Sequence, residues 1–426
     1  MKTNTNLVYG LDFGTSNSAV AVLDQSGQSK VIKIGINGVE KTIPSVLFFP
    51  AERMGTFHVG DTAILEYVKS KMKGRFLQSI KSILPSKSFA STNIPGFGPL
   101  SSEDLISLIL KSIKERADSQ LKADVRKVVL GRPARFSDDA IIDLMAEQRL
   151  LKAAKKAGFE EINFQLEPIA AALHYESYLS SEKLVLVVDI GGGTSDFTIM
   201  KLSPKKTKFT DRQDDILSSN GLYIGGDNFD SDIMKNKLID YFGYGSNIRS
   251  YEKILPFPNH LLLQICKWQD IGFLKSRRTQ NLLKNLHHSS ESPEKVLRLQ
   301  SLINEDLGYS LFCEIEKSKI TLSNFENSTI NFRKSVIDIK VEITKNEFEG
   351  FIAHKLAEIN KSLNEAIDIA GVNYKSIDAV FMTGGSSLIP ALRKIVSDKF
   401  GEHKIAPSDS FTSVVSGLAL STKLFF

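Results

Sequence analysis

The sequence predicts an α/β fold with mixed sheets, arranged as two similar halves. Two observations carry this. Near the start, LVYGLDFGTSNSAVAVL runs apolar strand, tight polar turn, strand, and much later KLVLVVDIGGGTSDFTIMKL repeats the same grammar. Between and after these echoes, strand patterns alternate with helix patterns, as layered α/β folds require. In each echo an aspartate (Asp12, Asp189) closes the first strand, and a turn of Gly, Thr and Ser follows. Such turns offer backbone N–H groups to an anion, because glycine allows tight turning and close approach. One glycine-rich hairpin is ordinary. Two with matched Asp and Thr point to half-domains facing one ligand.

The remaining elements follow in order. SSEDLISLILKSIKERADSQL reads as a helix capped at Ser101 or Ser102, with a periodic apolar face. VRKVVLGRP is a buried strand that ends in a loop at Pro133. AIIDLMAEQRLLKAAKKAGF is a helix, with Gly158 as its stop. INFQLEPIAAALHYESYL is a strand running into a helix through Glu167 and Pro168. After the second echo, ILSSNGLYIGGDNFDSDIMKNKLIDYF is strand, Gly-Gly turn and helix. From about 246 to 306 strand signals are few. HLLLQICKWQDIGFLK and PEKVLRLQSLINEDLG read as helices of a helical excursion, bridged by a solvated loop holding His287 and His288. Trp268 reads as a packing anchor. IDAVFMTGGSSLIPALRKIVSDKF is again strand, Gly-Gly turn and helix.

Composition narrows the classes. The 426 residues suit two lobes of ordinary domain size, and 42% apolar with 24% charged residues suits a globular protein. The net charge of +5 is too mild for a nucleic-acid partner. Cys266 and Cys313 are too few for a disulfide framework and read as buried or half-buried thiols in a reducing compartment. MKTNTNLVYGLDFG lacks an apolar signal core, and no run is long enough to span a bilayer, so a cytoplasmic protein is expected.

The chemistry concentrates in a few places. Gly14, Thr15, Ser16 and Asn17 form one candidate phosphate cradle, and Gly191, Gly192, Gly193 and Thr194 form the other. Asp12 and Asp189, brought together, would repel unless a cation stood between them, and Mg²⁺ with phosphate oxygens is the natural candidate. The same aspartates could merely bond their own turn amides. Glu316, Lys319 and Ser323 are spaced i, i+3 and i+7 on one helix face, where Glu and Ser could accept from a ribose or base and the Lys stem could pack on a ring. A solvated face has that spacing too. The Gly384, Gly385 turn can admit a flat ring or a phosphate, and equally suits plain strand–helix punctuation.

GLDFGTSNSAVAV, LEPIAAAL, VDIGGGTSDFTI, IGGDNFDSDI, EKSKITLS and VFMTGGSSLIP occur in the order found in the nucleotide-binding domain of heat shock protein 70 relatives such as DnaK. The resemblance spans nearly the whole chain. It implies an actin-like ATPase fold (a duplicated ribonuclease H-like design), with two lobes of four subdomains around a cleft for ATP or ADP with Mg²⁺. Lobe I would be 1–183 with an insertion at about 38–106, and lobe II 184–426 with an insertion at about 228–345. By motif, Asp12 and Asp189 resemble the residues that hold Mg²⁺ through water. Lys81 and Glu167 resemble the pair orienting the attacking water and the γ-phosphate, with Thr194 and Asp196 beside them. Gly225, Gly226 and Asp227, with Gly384, Gly385, Ser386 and Ser387 and the Glu316, Lys319, Ser323 face, resemble the rest of the nucleotide site, and Asp409 matches an aspartate near the last helix. Ile320 departs from the pattern, standing where relatives carry an arginine on adenine, so nucleotide affinity or release is expected to differ. Arg149 corresponds to a relay arginine, and Asp227 and Asn228 stand for the usual Glu and Asp. The chain stops at Phe426 without a counterpart of the linker or peptide-clamping domain, as in stand-alone YegD-type relatives.

The function so implied is a chaperone-like ATPase switch acting on an unidentified protein partner or client, with no membrane. Three alternatives stay open: a sugar- or acetate-type kinase of the same fold, separable by substrate-stimulated turnover; an actin-like filament protein, separable by nucleotide-dependent pelleting; and a module that holds nucleotide with negligible hydrolysis.

Overall fold

The computed structural model describes residues 7–70, 73–137, 139–176, 179–204, 213–250, 253–305, 307–406 and 412–426. Two mixed sheets form its frame. The first contains β1 (Val8–Phe13), β2 (Asn17–Leu23), β3 (Ser29–Val31), β4 (Thr42–Pro44), β5 (Lys127–Arg132) and β6 (Glu161–Leu166), in the order β6-β5-β1-β2-β3 with β4 also on β2. The second contains β7 (Lys183–Ile190), β8 (Ser195–Leu202), β9 (Ile216–Leu222) and β10 (Ala379–Thr383), in the order β9-β8-β7-β10. The echo heard in the sequence is therefore topological. β1 and β7 each pair antiparallel with the next strand and parallel with a later one, β5 and β10 respectively.

Both faces of the second sheet are covered, which is why β7 reads as one apolar run rather than an alternation. Val185 and Val187 face one core cluster, while Leu186, Val188 and Ile190 face another. The first of these clusters is shared between the sheets. It also takes in Val129 of β5, Ile169 to Leu173 of helix α3 (Glu167–Glu176, following α1, Ser102–Leu121, and α2, Ala140–Lys156), and Val414 and Leu418 of the last helix. That last helix becomes α7 once α4 (Gly226–Ile233), α5 (Gly308–Leu322) and α6 (Lys345–Ala370) are counted, and it spans Ser413–Phe425.

Helix α7 lies against β1 and α3 at distances only hydrogen allows. A Cβ on Gly10 would stand 2.2 Å from the Ala419 nitrogen, and one on Gly417 would stand 1.7 Å from the Ala170 carbonyl oxygen. A glycine inside a helix costs about 1 kcal/mol relative to alanine, so Gly417 is there for this contact.

The anticipated elements occur largely as read. Ser101 caps α1: its hydroxyl accepts from the Asp104 N–H at 3.2 Å, and its own N–H donates to the Asp104 carboxylate at 3.0 Å. Some details differ, among them the segment HLLLQICKWQDIGFLK, which breaks into helices Asn259–Ile265 and Trp268–Ile271 and a 3₁₀ turn Gly272–Lys275. His287 and His288 lie in a helix, Arg277–Ser289, and not in a loop, because Leu283 and Leu286 supply a buried stripe beneath a mostly polar surface. The helix after Gly225 ends at Ile233 and widens into a π turn at Met234–Leu238, which keeps both terminal residues of that turn buried. A short hairpin, Asn247–Ser250 with Lys253–Pro256, opens the helical excursion. Trp268 is half-buried and packs against the core, and Cys266 is buried and Cys313 half-buried, both as free thiols. Among the described residues, no helix is long and apolar enough to cross a membrane.

Candidate nucleotide site

The two glycine-rich turns meet. A Cβ on Gly192 would stand 2.0 Å from the Ser16 hydroxyl oxygen and 3.3 Å from the Asp227 carboxylate, so a side chain there would force Ser16 to move. Gly193 lies beside Thr15, where a Cβ would make an ordinary contact at 3.6 Å. Behind the second turn sits the N-terminus of α4, whose Gly226 and Asp227 N–H groups donate to the Gly191 and Gly192 carbonyls at 3.0 and 2.8 Å. In a trans peptide the C=O and N–H point oppositely, so these bonds aim the Gly192 and Gly193 N–H groups away from α4. Gly384, at φ 81°, closes the other side: a Cβ there would lie 2.3 Å from the Ile190 carbonyl and 2.8 Å from the Asp189 carboxylate. Ser386 donates to the Gly191 carbonyl at 2.9 Å, and Ser387 donates to the Gly384 carbonyl at 2.6 Å.

These turns wall a cavity of about 630 Å³. Its acidic end holds Asp12, Glu167, Asp189 and Asp196 with Lys81, and its other end holds Glu316, Lys319, Ile320, Ser323 and Asn324. Of the anticipated residues, Gly225 and Ser387 stand just behind the wall, and Asp409 lies outside the described residues. All the others line the cavity except Arg149 and Asn228.

Lys81, which composition alone would leave on the surface, is buried. It sits on a 3₁₀ segment, Ile80–Ile83, and donates to the Glu167 carboxylate at 2.8 Å. Burial opposes its charge, but Glu167, Asp12 and Asp189 more than offset this and hold its pKa above the ordinary lysine value. One ammonium does not satisfy the aspartates. Burial, then Glu167, pushes Asp12 up to about 7 against the pull of Lys81. Asp196 rises to about 6 through burial, in spite of a hydrogen bond from Thr194. Asp189 is held well above the carboxylate range by burial first, then by Asp196, Glu167 and Asp12.

Two side chains make contacts that spacing did not show. Lys319 lines the cavity with its ammonium anchored in the wall. Its ammonium is buried in an ion pair with Asp230 at 2.8 Å and donates to the Gly226 carbonyl at 3.2 Å, which ties α5 to α4. Ser323 lies one residue beyond α5, its hydroxyl turned back to the Lys319 carbonyl at 3.4 Å. Arg149 donates to the carbonyls of Leu84 and Ser86 at 2.8 and 2.9 Å, bracing the segment that carries Lys81. Sequence reasoning missed Ser79, a left-handed residue at φ 54° whose hydroxyl reaches Asp227 at 3.4 Å. It also missed Tyr223, whose hydroxyl donates to the Phe136 carbonyl at 3.4 Å beside the cavity. A serine and a tyrosine in polar loops carry no signal of such contacts.

Comparison with known proteins gives one answer. A family model described as Hsp70 protein matches residues 8–255 and 301–424, and the stretch it leaves out falls on the helical excursion. Chaperone protein DnaK of Carsonella ruddii (strain PV) is 26% identical over 429 residues, covering 94% of this chain and 60% of that protein. Chaperone protein DnaK of Mycoplasmopsis synoviae (strain 53) is 26% identical over 405 residues, covering 93% and 55%. The corresponding protein of Mycoplasma mobile (strain ATCC 43663 / 163K / NCTC 11711) is 24% identical over 430 residues, covering 97% and 58%. The chain therefore spans a little over half the length of these relatives. With the family motifs in order along most of its length, the chain belongs to the Hsp70 protein family.

Proposed function

We propose that the chain is an actin-like, two-lobed ATPase switch whose nucleotide state sets the affinity for a protein partner. One observation carries this reading: two glycine turns from distant parts of the sequence abut at a cavity in which four carboxylates share one lysine. The fit to Mg²⁺ rests on the same donors. Carboxylates that burial and mutual repulsion push toward neutrality favour a divalent cation beside them. Asp12 and Asp189 would hold such a cation through water. When bound, Mg²⁺ would neutralise charge on the phosphates.

The chain's own groups then divide the work. The turn amides at Gly14–Asn17 and Gly191–Thr194 cradle phosphates. Lys81 and Glu167, locked by their ion pair, orient the attacking water and the terminal phosphate. Glu316 and Ser323 accept from the nucleoside. Calorimetry with Mg-ATP and steady-state phosphate release test the reading; no heat with either ATP or ADP would end it.

The nucleoside end differs from what relatives would supply. Ile320 is 56% exposed and Leu388 53% exposed, and both line the cavity. Ile320→Arg adds a cation where a base would lie, an interaction of about 0.5–1 kcal/mol at an exposed site. Affinity for ATP is expected to rise about threefold, by calorimetry, with affinity for inorganic tripolyphosphate unchanged.

A further inference from the structure

Among the described residues, the basic side chains that line the cavity are Lys81, Lys319 and Arg135. The two lysines are buried and committed to the protein, Lys81 to Glu167 at 2.8 Å and Lys319 to Asp230 at 2.8 Å. Arg135 differs. It is exposed, and it stands on the loop that leaves β5.

That loop is tied down on both sides of the arginine. Arg132, the last residue of β5, pairs with Asp143 at 2.9 Å and with Glu147, both on α2, and donates to the Pro133 carbonyl at 3.1 Å. Asp143 also accepts from the Phe136 N–H at 2.6 Å, and the Arg132 guanidinium lies 5.2 Å from the centre of the buried Phe136 ring. Pro133 has no freedom at φ. Arg135 is therefore held between fixed points.

The neighbours of Arg135 say which end of the cavity it serves. Pro133 and Ala134 wall a recess of about 20 Å³ together with Glu167, Asp189 and Asp196. A Cβ on Gly131 would stand 3.2 Å from the Glu167 Cγ. On the other flank, the Phe136 carbonyl accepts from Tyr223. Two residues before that tyrosine, a Cβ on Gly221 would lie 2.5 Å from the Asp196 carboxylate. Arg135 thus belongs to the acidic end. Carboxylates there repel an incoming phosphate, and a guanidinium offers a charged, planar fork of donors that matches phosphate oxygens.

We infer that Arg135 grips the outermost phosphate of the ligand, so that the cavity prefers a triphosphate to a diphosphate. The inference rests on the function proposed above, in which the nucleoside lies toward Glu316 and the phosphates run toward Lys81. A diphosphate held in that orientation ends one phosphate short of Arg135.

The test uses the whole chain. Calorimetry in Mg²⁺ buffer gives the affinities for ADP and for a non-hydrolysable ATP analogue, and separately for inorganic pyrophosphate and tripolyphosphate. Arg135→Gln is expected to weaken the ATP analogue about tenfold, equivalent to about 1.4 kcal/mol, and to leave ADP unchanged. Arg135→Lys, which keeps the charge and loses the fork, is expected to weaken the ATP analogue about threefold. A folded Arg135→Gln that keeps the parental ratio of the two affinities overturns the inference, whether both are unchanged or both fall together. Parent protein that binds neither nucleotide ends the nucleotide reading, and the inorganic pair then decides. A parental preference for tripolyphosphate that Arg135→Gln abolishes upholds the grip; a preference that survives the substitution, or is absent from the parent, overturns it.

Discussion

Asp189→Ala should slow Mg-dependent ATP hydrolysis by about a hundredfold or more, the scale on which preorganised charge-stabilising groups act, and should at the same time stabilise the ligand-free protein. The two effects have one origin. Asp189 is held well above its ordinary value in the fold by burial and by Asp196, Glu167 and Asp12. Above about pH 4 the unfolded chain has released this proton while the folded chain still holds it, so native stability falls as pH rises. Alanine removes that penalty. In EDTA the variant should melt higher than the parent at pH 8, with the gain shrinking toward pH 4, by calorimetry in matched buffers. Unchanged turnover would take Asp189 out of the mechanism. A lower melting temperature at pH 8 would contradict the electrostatic account while leaving the kinetic one to be judged separately.

Lys81→Ala should act in the opposite sense on stability. The ammonium is the cation paired with Glu167 at 2.8 Å and the charge opposing burial at Asp12 and Asp196. Breaking a fully buried pair costs about 3–5 kcal/mol; water entering the cavity reaches Glu167, so about 2 kcal/mol is expected here. Single-turnover hydrolysis should fall about a hundredfold, with ATP affinity within a few-fold of the parent. Adding Glu167→Gln should restore part of the lost stability, because it removes the carboxylate that loses its direct partner while Asp12, Asp189 and Asp196 still lack their cation, but not the rate. Equal single-turnover rates in Lys81→Ala and parent would exclude Lys81 from the chemistry.

Much of the frame was legible because its signals are local. Strand period, the Asp-plus-glycine turns and the caps at Ser101 and after Lys156 each occupy a few consecutive residues. The reason for the glycines was less legible. Gly192 was expected to serve a tight turn and a phosphate cradle; in the structure it also lies against Ser16 from another sheet, a contact no local pattern encodes. Lys319 shows the same limit. Spacing placed it correctly on a helix face with Glu316, but whether its charge met solvent, a ring or Asp230 depended on where α4 came to rest. Lys81 could not be told from surface charge until its neighbours were known. The helix through His287 and His288 was missed for a different reason: its polar face dominates the composition, and only Leu283 and Leu286 mark the buried side.

The contact of Gly417 with Ala170 sets a tolerance for the placement of Glu167 in the proposed site. Ala170 lies three residues after Glu167 on α3, and no atom larger than hydrogen separates that helix from α7. Misplacing a reacting group by about 1 Å can cost about a hundredfold in rate. Alignment of the Glu167 carboxylate is thus gauged by two backbones pressed together one turn along the helix, and a single methyl group inserted there would act as a shim under the group proposed to orient the reactants.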